Sequence, residues 1–88
     1  DFRNITDMLD IVPNVIMDCT HSVQRPGAGG GKTSGDRRFV PAMAQAAKAF
    51  GATGYFFEVH PDPEKALSDG PNMVYLKDLE GIIANLIK

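Results

Sequence analysis

Two short apolar runs constrain the fold of this chain more than any other feature. Val15-Ile16-Met17 lies within a predicted strand at 14–20, and Tyr55-Phe56-Phe57 lies within a second predicted strand at 54–59. Both runs are continuous, without the alternation of a half-exposed strand, as in parallel strands that are covered on both faces. Parallel strands are joined by helical crossovers, so the sequence predicts an α/β fold with a parallel sheet.

Apolar periodicity predicts three helices, in the order helix, strand, helix, strand, helix. Asn4 is the candidate N-cap of the first helix and Gly51 the candidate C-cap of the second, which has Pro41 in its first turn. The third is expected to bury Leu79, Ile82, Ile83 and Leu86. The predicted helices cover 4–12, 38–50 and 76–87, with loops at 21–36 and 60–71 and one helical turn at 64–67.

Two parallel strands are too few for a stable sheet, because each needs neighbours on both edges and helices over its faces. We therefore expect residues 1–88 to be part of a single larger α/β domain. By themselves they are expected to be unfolded and inactive.

Composition excludes several classes of protein. The net charge of −2 and the scattered basic residues give no basic surface for nucleic acid or an anionic membrane. No apolar run approaches the roughly 20 residues that a membrane span requires. Cys19 is the single cysteine, so no internal disulfide can form, as is usual in a reducing compartment. A cytoplasmic protein is expected.

Polar residues follow both predicted strands, where parallel α/β folds bind their ligands. The candidates are His21, Glu58, His60, Asp62 and Asp69. A histidine with two carboxylates can bind a divalent metal, although acidic loop residues are more often only solvated. Glu58 is different, because a carboxylate at the end of an aromatic strand is costly to bury unless it is paired or serves a function.

Other motifs favour ordinary structural roles. The glycine-rich stretch 27–33 resembles a nucleotide-binding P-loop, but Gly27 is one residue too close to Gly31-Lys32-Thr33, and the next helix begins too late. A mobile loop that closes over substrate is the preferred interpretation. Cys19 is expected in the core, and His60 is expected to shape its turn.

Three blocks of sequence resemble the 3-deoxy-D-manno-octulosonate 8-phosphate synthase family. The blocks are Asp-Cys-Thr-His-Ser-Val-Gln-Arg-Pro-Gly (18–27), Ser-Gly-Asp-Arg-Arg (34–38) and Glu-Val-His-Pro-Asp-Pro-Glu-Lys-Ala-Leu-Ser-Asp-Gly-Pro (58–71). The resemblance implies the C-terminal segment of a (β/α)8 barrel, with its last two strands and three helices. It also implies a cytoplasmic homotetramer that serves lipopolysaccharide synthesis.

The implied reaction joins C3 of phosphoenolpyruvate to the aldehyde of D-arabinose 5-phosphate, while water adds at C2 and phosphate leaves. In metal-dependent members, the ligands of a zinc, iron or manganese ion correspond to His21, Glu58 and Asp69, with a cysteine upstream as the fourth. Metal-independent members keep the three but not the cysteine, so metal dependence stays open. His21 and Asp69 are the implied catalytic residues, and Gln24 and Arg25 the implied substrate-binding residues.

Two rival functions are weighed against this resemblance. Some 3-deoxy-D-arabino-heptulosonate 7-phosphate synthases, which use erythrose 4-phosphate, share Glu-Val-His-Pro (58–61) and Lys-Ala-Leu-Ser-Asp-Gly (65–70). In their first loop, however, His-Ser runs almost directly into Gly-Gly-Arg-Arg. Here Val23 to Thr33 are inserted, which favours the octulosonate enzyme. A non-catalytic module that binds phosphate through Lys32 and the glycine-rich stretch is the second rival.

Overall fold

The part of the chain that the structure describes contains short strands and three α-helices, joined by loops and 3-10 turns. The computed structural model describes residues 1–29 and 32–88. The α-helices are α1 (Arg3–Leu9), α2 (Val40–Ala49) and α3 (Leu76–Leu86). The strands are β1 (Ile16–Asp18), β2 (Gln24–Gly29), β3 (Lys32–Gly35), β4 (Gly54–Phe56), β5 (Val59–His60) and β6 (Val74–Tyr75). Single 3-10 turns stand at His21–Val23, Arg37–Phe39, Pro63–Lys65 and Gly70–Asn72.

β1 and β4 form the parallel pair that the sequence predicted. Ile16 lies opposite Gly54, and Asp18 lies opposite Phe56. Backbone hydrogen bonds extend the pair at both ends, because the Thr53 amide donates to Val15 and the Cys19 amide donates to Phe56, both at 2.9 Å. Both strands are shorter than predicted, but their carboxyl ends lie side by side.

The second predicted strand is broken before Glu58, where the chain changes partner. The Glu58 amide donates to the side-chain hydroxyl of Thr20 at 2.7 Å, and the Glu58 carbonyl accepts from the Val74 amide at 3.0 Å. β5 then pairs with β6 in parallel, with Val59 opposite Val74. β6 was not predicted, since a two-residue strand carries too little sequence signal.

The segment predicted as a loop at 21–36 is mostly an antiparallel hairpin of β2 and β3. Gln24 lies opposite Gly35, and the register is irregular between Arg25 and Gly29. Residues 30 and 31 of the glycine-rich stretch lie outside the described residues. Lys32 and Thr33 lie in β3, and α2 begins only at Val40, so the backbone is not that of a P-loop.

The helix predictions were correct in order but wrong in detail. Asn4 does not cap α1, because α1 begins at Arg3, whose amide donates to the Asp1 carboxylate at 2.9 Å. α1 also ends at Leu9, short of the predicted position 12. In α2, Pro41 lies in the first turn, and Gly51 follows the helix with φ of 100°, a left-handed conformation that favours glycine.

The core lies between α2, α3 and the β1–β4 pair. Its fully buried residues from α2 are Val40, Ala44 and Ala47, whereas Phe39 and Phe50, which flank α2, are exposed. Leu86 is buried on α3, but Ile83 is exposed, contrary to prediction. The small side chains of Ala44 and Ala47 allow α2 to pack closely in the core.

One face of the parallel pair is uncovered in this chain. Ile16 is 67% exposed and Phe56 is 46% exposed, although both were predicted to be buried. Large apolar residues in adjacent strands are normally covered, so this face needs other elements of a larger fold. Within the described ranges, no helix is long and apolar enough to cross a membrane.

Gly35 provides a test of the packing beneath the hairpin. A Cβ at this position would lie 1.4 Å from Oδ1 of Asn72, a side chain that is buried and cannot move aside easily. We expect Gly35→Ala to destabilise the intact protein by about 1–3 kcal/mol, measured by urea unfolding. Gly81→Ala is the matched control, because Gly81 has open space around it on α3. It should stabilise the helix by about 0.5–1 kcal/mol, and equal effects of the two changes would contradict this account.

Candidate active site

Three of the predicted site residues meet at the carboxyl ends of β1 and β4. Nε2 of His21 lies 3.4 Å from Oε1 of Glu58 and 3.2 Å from Oδ2 of Asp69. One ligand atom from each residue lies within 4.8 Å of the other two. These residues come from three separate segments, so the fold creates a group that no short motif contains.

His60 and Asp62 are not part of this group. Nδ1 of His60 accepts the Asp62 amide at 2.9 Å, which closes the turn after β5, as expected for His60. The Asp62 carboxylate lies 3.7 Å from Nζ of Lys65. Both residues therefore shape the loop.

Asp18, the last residue of β1, fixes the orientation of His21. Oδ1 of Asp18 accepts the amides of Thr20 and His21, each at 2.9 Å, and turns the chain out of the strand. Oδ2 of Asp18 lies 2.8 Å from Nδ1 of His21. This second contact directs Nε2 towards Glu58 and Asp69.

The sequence analysis did not single out Asp18. The signal was present, because an aspartate at a strand end, followed by polar residues, is a common turn former that can also hold a histidine ring.

Protonation of His21 is favoured by these carboxylates. The hydrogen bond with Asp18, followed by the one with Asp69, raises the pKa of His21 above its ordinary value. Partial burial by itself would raise the pKa of Asp18, but hydrogen bonds from the backbone and ring of His21 lower it overall. When His21 carries both protons, Nδ1–H points to Asp18 and Nε2–H points to the other two carboxylates.

Glu58 is positioned through its backbone. Thr20, which is fully buried, holds the Glu58 amide through its hydroxyl and so links the ends of the two strands. The Glu58 side chain is half-buried beside His21. Because Thr20 immediately precedes His21, one buried hydroxyl connects the two candidate site residues.

Asp69 reaches the group from the loop between β5 and β6. Its backbone is left-handed, with φ of 55° and ψ of 17°, and it alone among the described non-glycine residues has a positive φ. Nε2 of Gln24 donates to Oδ1 of Asp69 at 3.1 Å. Gln24, predicted to bind substrate, thus contacts a site carboxylate from the base of the hairpin.

Arg25 lies beside the first turn of α2. The carbon at the centre of its guanidinium is 5.8 Å from the centre of the Phe39 ring, a cation–π distance. A role for Arg25 in binding substrate stays a prediction.

Comparison with known proteins assigns the family. Residues 1–87 match the profile of the DAHP synthetase I family. The chain belongs to this family.

Curated relatives match along almost the whole chain. The chain is 52% identical over 87 residues to the 2-dehydro-3-deoxyphosphooctonate aldolase of Desulfatibacillum aliphaticivorans, covering 99% of this chain and 32% of that protein. It is 49% identical over 87 residues to the aldolase of the same name from Agrobacterium fabrum, covering 99% and 31%. The chain therefore spans about a third of the length of these relatives.

Solved structures confirm the fold class. A phospho-2-dehydro-3-deoxyheptonate aldolase of Thermotoga maritima matches with a TM-score of 0.65 and 32% identity, over 84% of this chain and 18% of that one. A truncated 3-deoxy-D-arabino-heptulosonate 7-phosphate synthase from the same organism gives 0.67 and 29%, over 93% and 29%. This member of the DAHP synthetase I family is a segment of a (β/α)8 barrel, and the exposed Ile16 and Phe56 belong to its strands.

The three converging side chains have the chemistry of a divalent metal site. A neutral imidazole nitrogen and two carboxylates suit zinc, iron or manganese, and Nδ1 of His21 is already held by Asp18, as in many metal-binding histidines. A metal would compete with the proton on Nε2, so lower pH would weaken binding. The residues present therefore fit such an ion.

Cys19 has a different environment. It is fully buried, and burial, followed by the nearby charge of Asp18, raises the pKa of its thiol to about 11. A thiol in this state is a poor nucleophile and a poor ligand. Cys19 is therefore a core residue, as predicted.

Asp18→Asn should lower the pKa of His21 towards its ordinary value of about 6.5, because the ring loses a charged partner. Nuclear magnetic resonance titration of the His21 ring, in metal-free protein, measures this directly. Asp78→Asn, which removes a carboxylate from α3, is the control and should leave the pKa unchanged. An unchanged pKa in both variants would refute the assigned contact.

The raised pKa of His21 also determines how the free energy of unfolding changes with pH. Protonation of His21 favours folding, and this contribution is complete below the unfolded-state pKa. It is lost as the pH rises through the folded-state pKa, so Asp18→Asn should weaken this part of the pH dependence of unfolding.

Proposed function

We propose that this chain is part of a synthase that condenses phosphoenolpyruvate with D-arabinose 5-phosphate and water. The products are 3-deoxy-D-manno-octulosonate 8-phosphate and phosphate. The observation that carries this proposal is about 50% identity, along nearly the whole chain, to relatives named 2-dehydro-3-deoxyphosphooctonate aldolase. The group of His21, Glu58 and Asp69 supports it, because a reaction centre is expected at the carboxyl ends of barrel strands.

The bond changes of this reaction require proton transfers, which we assign to these side chains. A carbon–carbon bond forms between C3 of phosphoenolpyruvate and the sugar aldehyde, whose oxygen must gain a proton. Water adds at C2 and loses a proton, and phosphate leaves by cleavage of the C–O bond. We assign to Asp69 the acceptance and return of a proton, and the 3.2 Å contact between Nε2 of His21 and the Asp69 carboxylate supports this role.

A divalent metal is the cofactor that we propose for this site. His21, Glu58 and Asp69 would hold it, with a fourth ligand from outside this chain. A bound ion would polarise a substrate oxygen and stabilise the charge that develops in the transition state. In a metal-independent enzyme, the same three side chains would instead hold water and substrate by hydrogen bonds.

The hairpin β2–β3 is proposed to cover the arabinose 5-phosphate. Its first residue, Gln24, is bonded to Asp69, so the hairpin begins at the edge of the site. Gln24 and Arg25 are the residues that we expect to contact the sugar phosphate. Exclusion of water by the hairpin would strengthen the electrostatic interactions inside.

The remaining properties follow from the same proposal. A cytoplasmic location agrees with a single cysteine, which is buried and unpaired. A homotetramer is inferred from the resemblance of the sequence to the octulosonate synthases.

The heptulosonate synthase is the nearest alternative. The solved structures with that activity in their names are 29–32% identical to this chain, below the roughly 50% of the octulosonate relatives. The longer segment between His21-Ser22 and Arg37-Arg38 also favours the five-carbon sugar phosphate.

A non-catalytic phosphate-binding module has less support. The groove beside Asp69 measures about 820 Å³ and contains Arg37 and Arg38. Both guanidinium groups already have protein partners: Arg37 binds two carbonyls, and Arg38 binds the Asp36 carboxylate. Neither is therefore a ready phosphate ligand.

Turnover by the intact protein tests the proposal. Phosphate release should require D-arabinose 5-phosphate, and erythrose 4-phosphate should not replace it. If a metal is needed, chelator should abolish turnover and a divalent metal should restore it. Activity that survives the chelator would leave the reaction in place and remove the metal, whereas a preference for erythrose 4-phosphate would overturn the choice of substrate.

A pair of substitutions separates catalysis from phosphate binding. Asp69→Asn should lower kcat by at least about 100-fold, because proton transfer by a positioned group contributes about 10²–10⁴-fold. Lys32→Ala should change kcat far less. The phosphate-binding module makes the opposite forecast: phosphate affinity, measured by calorimetry, would depend on Lys32 and not on Asp69.

A further inference from the structure

The segment that carries Asp69 has little structure of its own. It runs between β5 and β6, and near Asp69 it contains one 3-10 turn, Gly70–Asn72. That turn is closed by two backbone bonds: the Asn72 amide donates to Asp69 at 2.9 Å, and the Met73 amide donates to Gly70 at 3.1 Å. A left-handed aspartate persists only where its surroundings hold it in place.

The contact that holds this turn comes from Arg37. Nε of Arg37 donates to the Met73 carbonyl at 2.8 Å, and Nη2 donates to the Gly70 carbonyl at 2.9 Å. Gly70 is the first residue of the turn, and Met73 follows its last residue. One guanidinium, carried by the 3-10 turn before α2, therefore spans the turn that follows Asp69.

The other faces of the Arg37 guanidinium are also occupied. Nη1 lies 3.3 Å from Oε1 of Glu64, and the group lies 5.0 Å from the centre of the Tyr75 ring. The Tyr75 hydroxyl donates to Oε2 of Glu64 at 2.6 Å. Glu64 and Tyr75 thus hold the guanidinium while it holds the turn.

Within the described residues, the contacts of Arg37 do not include His21, Glu58 or Asp69 themselves. Its effect on the site must pass through the backbone of the Asp69 segment. Asp69 in turn makes the 3.2 Å contact to His21 and the 3.1 Å contact to Gln24.

We propose that Arg37 is a positioning residue that keeps the Asp69 carboxylate against His21. It acts by fixing the carbonyls of Gly70 and Met73 at the two ends of the Gly70–Asn72 turn. The effect on turnover rests on the proposed function, whereas the effect on the turn does not.

An arginine is required for this role. Its planar fork carries N–H donors in fixed directions, so it can bind two carbonyls and a carboxylate at once while lying against an aromatic ring. A lysine ammonium has the same charge but is a compact group, and it cannot span both carbonyls. Arg37→Lys therefore removes the fork and keeps the charge.

Hydrogen exchange in the intact protein is the first test. In Arg37→Lys, the amides of Asn72 and Met73 should exchange at least about tenfold faster, because the turn opens locally. The Cys19 amide, bonded across β1 and β4, should keep its rate. Arg38→Lys is the matched control, because Arg38 is the adjacent arginine, is exposed, and binds the Asp36 carboxylate instead of the turn.

Two results of the exchange experiment would overturn the proposal. Unchanged exchange at Asn72 and Met73 would mean that Arg37 does not hold the turn. Faster exchange spread evenly over the chain would mean that Arg37 stabilises the whole fold without any special relation to Asp69.

Steady-state kinetics is the second test. Arg37→Lys should lower kcat by about 10–100-fold, as is usual when the support of a site residue is lost. KM for arabinose 5-phosphate should stay within about twofold, because the Arg37 guanidinium is bonded to two backbone carbonyls and to Glu64, and we assign it no contact with substrate. Arg38→Lys should behave as the unmodified protein.

Two results of the kinetic experiment would also decide against the proposal. An unchanged kcat, or a raised KM with kcat intact, would overturn the positioning role. If the unmodified protein turns over neither sugar phosphate, the proposed function fails, and the exchange experiment still decides whether Arg37 holds the Asp69 turn.

Discussion

The site depends on the register between β1 and β4. Because Asp18 lies opposite Phe56, the two strands end at the same level, and the residues that follow them face one another. Beyond these strand ends, the Thr20 hydroxyl accepts a hydrogen bond from the Glu58 amide, in place of a backbone bond between the strands. A shift of either strand by one residue would reverse the direction of its side chains and separate His21 from Glu58.

The two halves of the site are held by different physical means. His21 and Glu58 lie next to the parallel pair, and Asp18 and the buried Thr20 orient them through bonds of 2.7–2.9 Å. Asp69 has no such scaffold and depends on a turn that Arg37 spans. His21 and Glu58 are therefore held by the strands themselves. Asp69 stays in place only while the contacts of its turn with Arg37 persist.

Sequence reasoning predicted the order of elements because continuous apolar runs and helical periodicity survive in short segments. It failed at the strand ends and in β6, where pairing between distant residues decides the structure. Arg37 was missed because it acts through contacts with residues distant in sequence, which become visible only after folding. Asp18 was missed although its local contacts follow from a common turn pattern at a strand end. The convergence of His21, Glu58 and Asp69 could be anticipated, since parallel strands place their following loops together. His60 and Asp62 also follow the second predicted strand, but their side chains contact residues of their own loop and do not join the group.

The residue in the strained position is the one to which we assign proton transfer. Asp69 adopts the left-handed conformation, at a cost of about 1–3 kcal/mol, while the adjacent Gly70 has a different constraint. A Cβ on Gly70 would lie 2.6 Å from the Pro63 carbonyl oxygen, so glycine is needed there for space. An unstrained loop would place glycine at position 69 and lose the carboxylate. The strain at Asp69 is therefore best explained by the contacts that its side chain makes with His21 and Gln24, and by the Arg37 fork that holds the turn behind it.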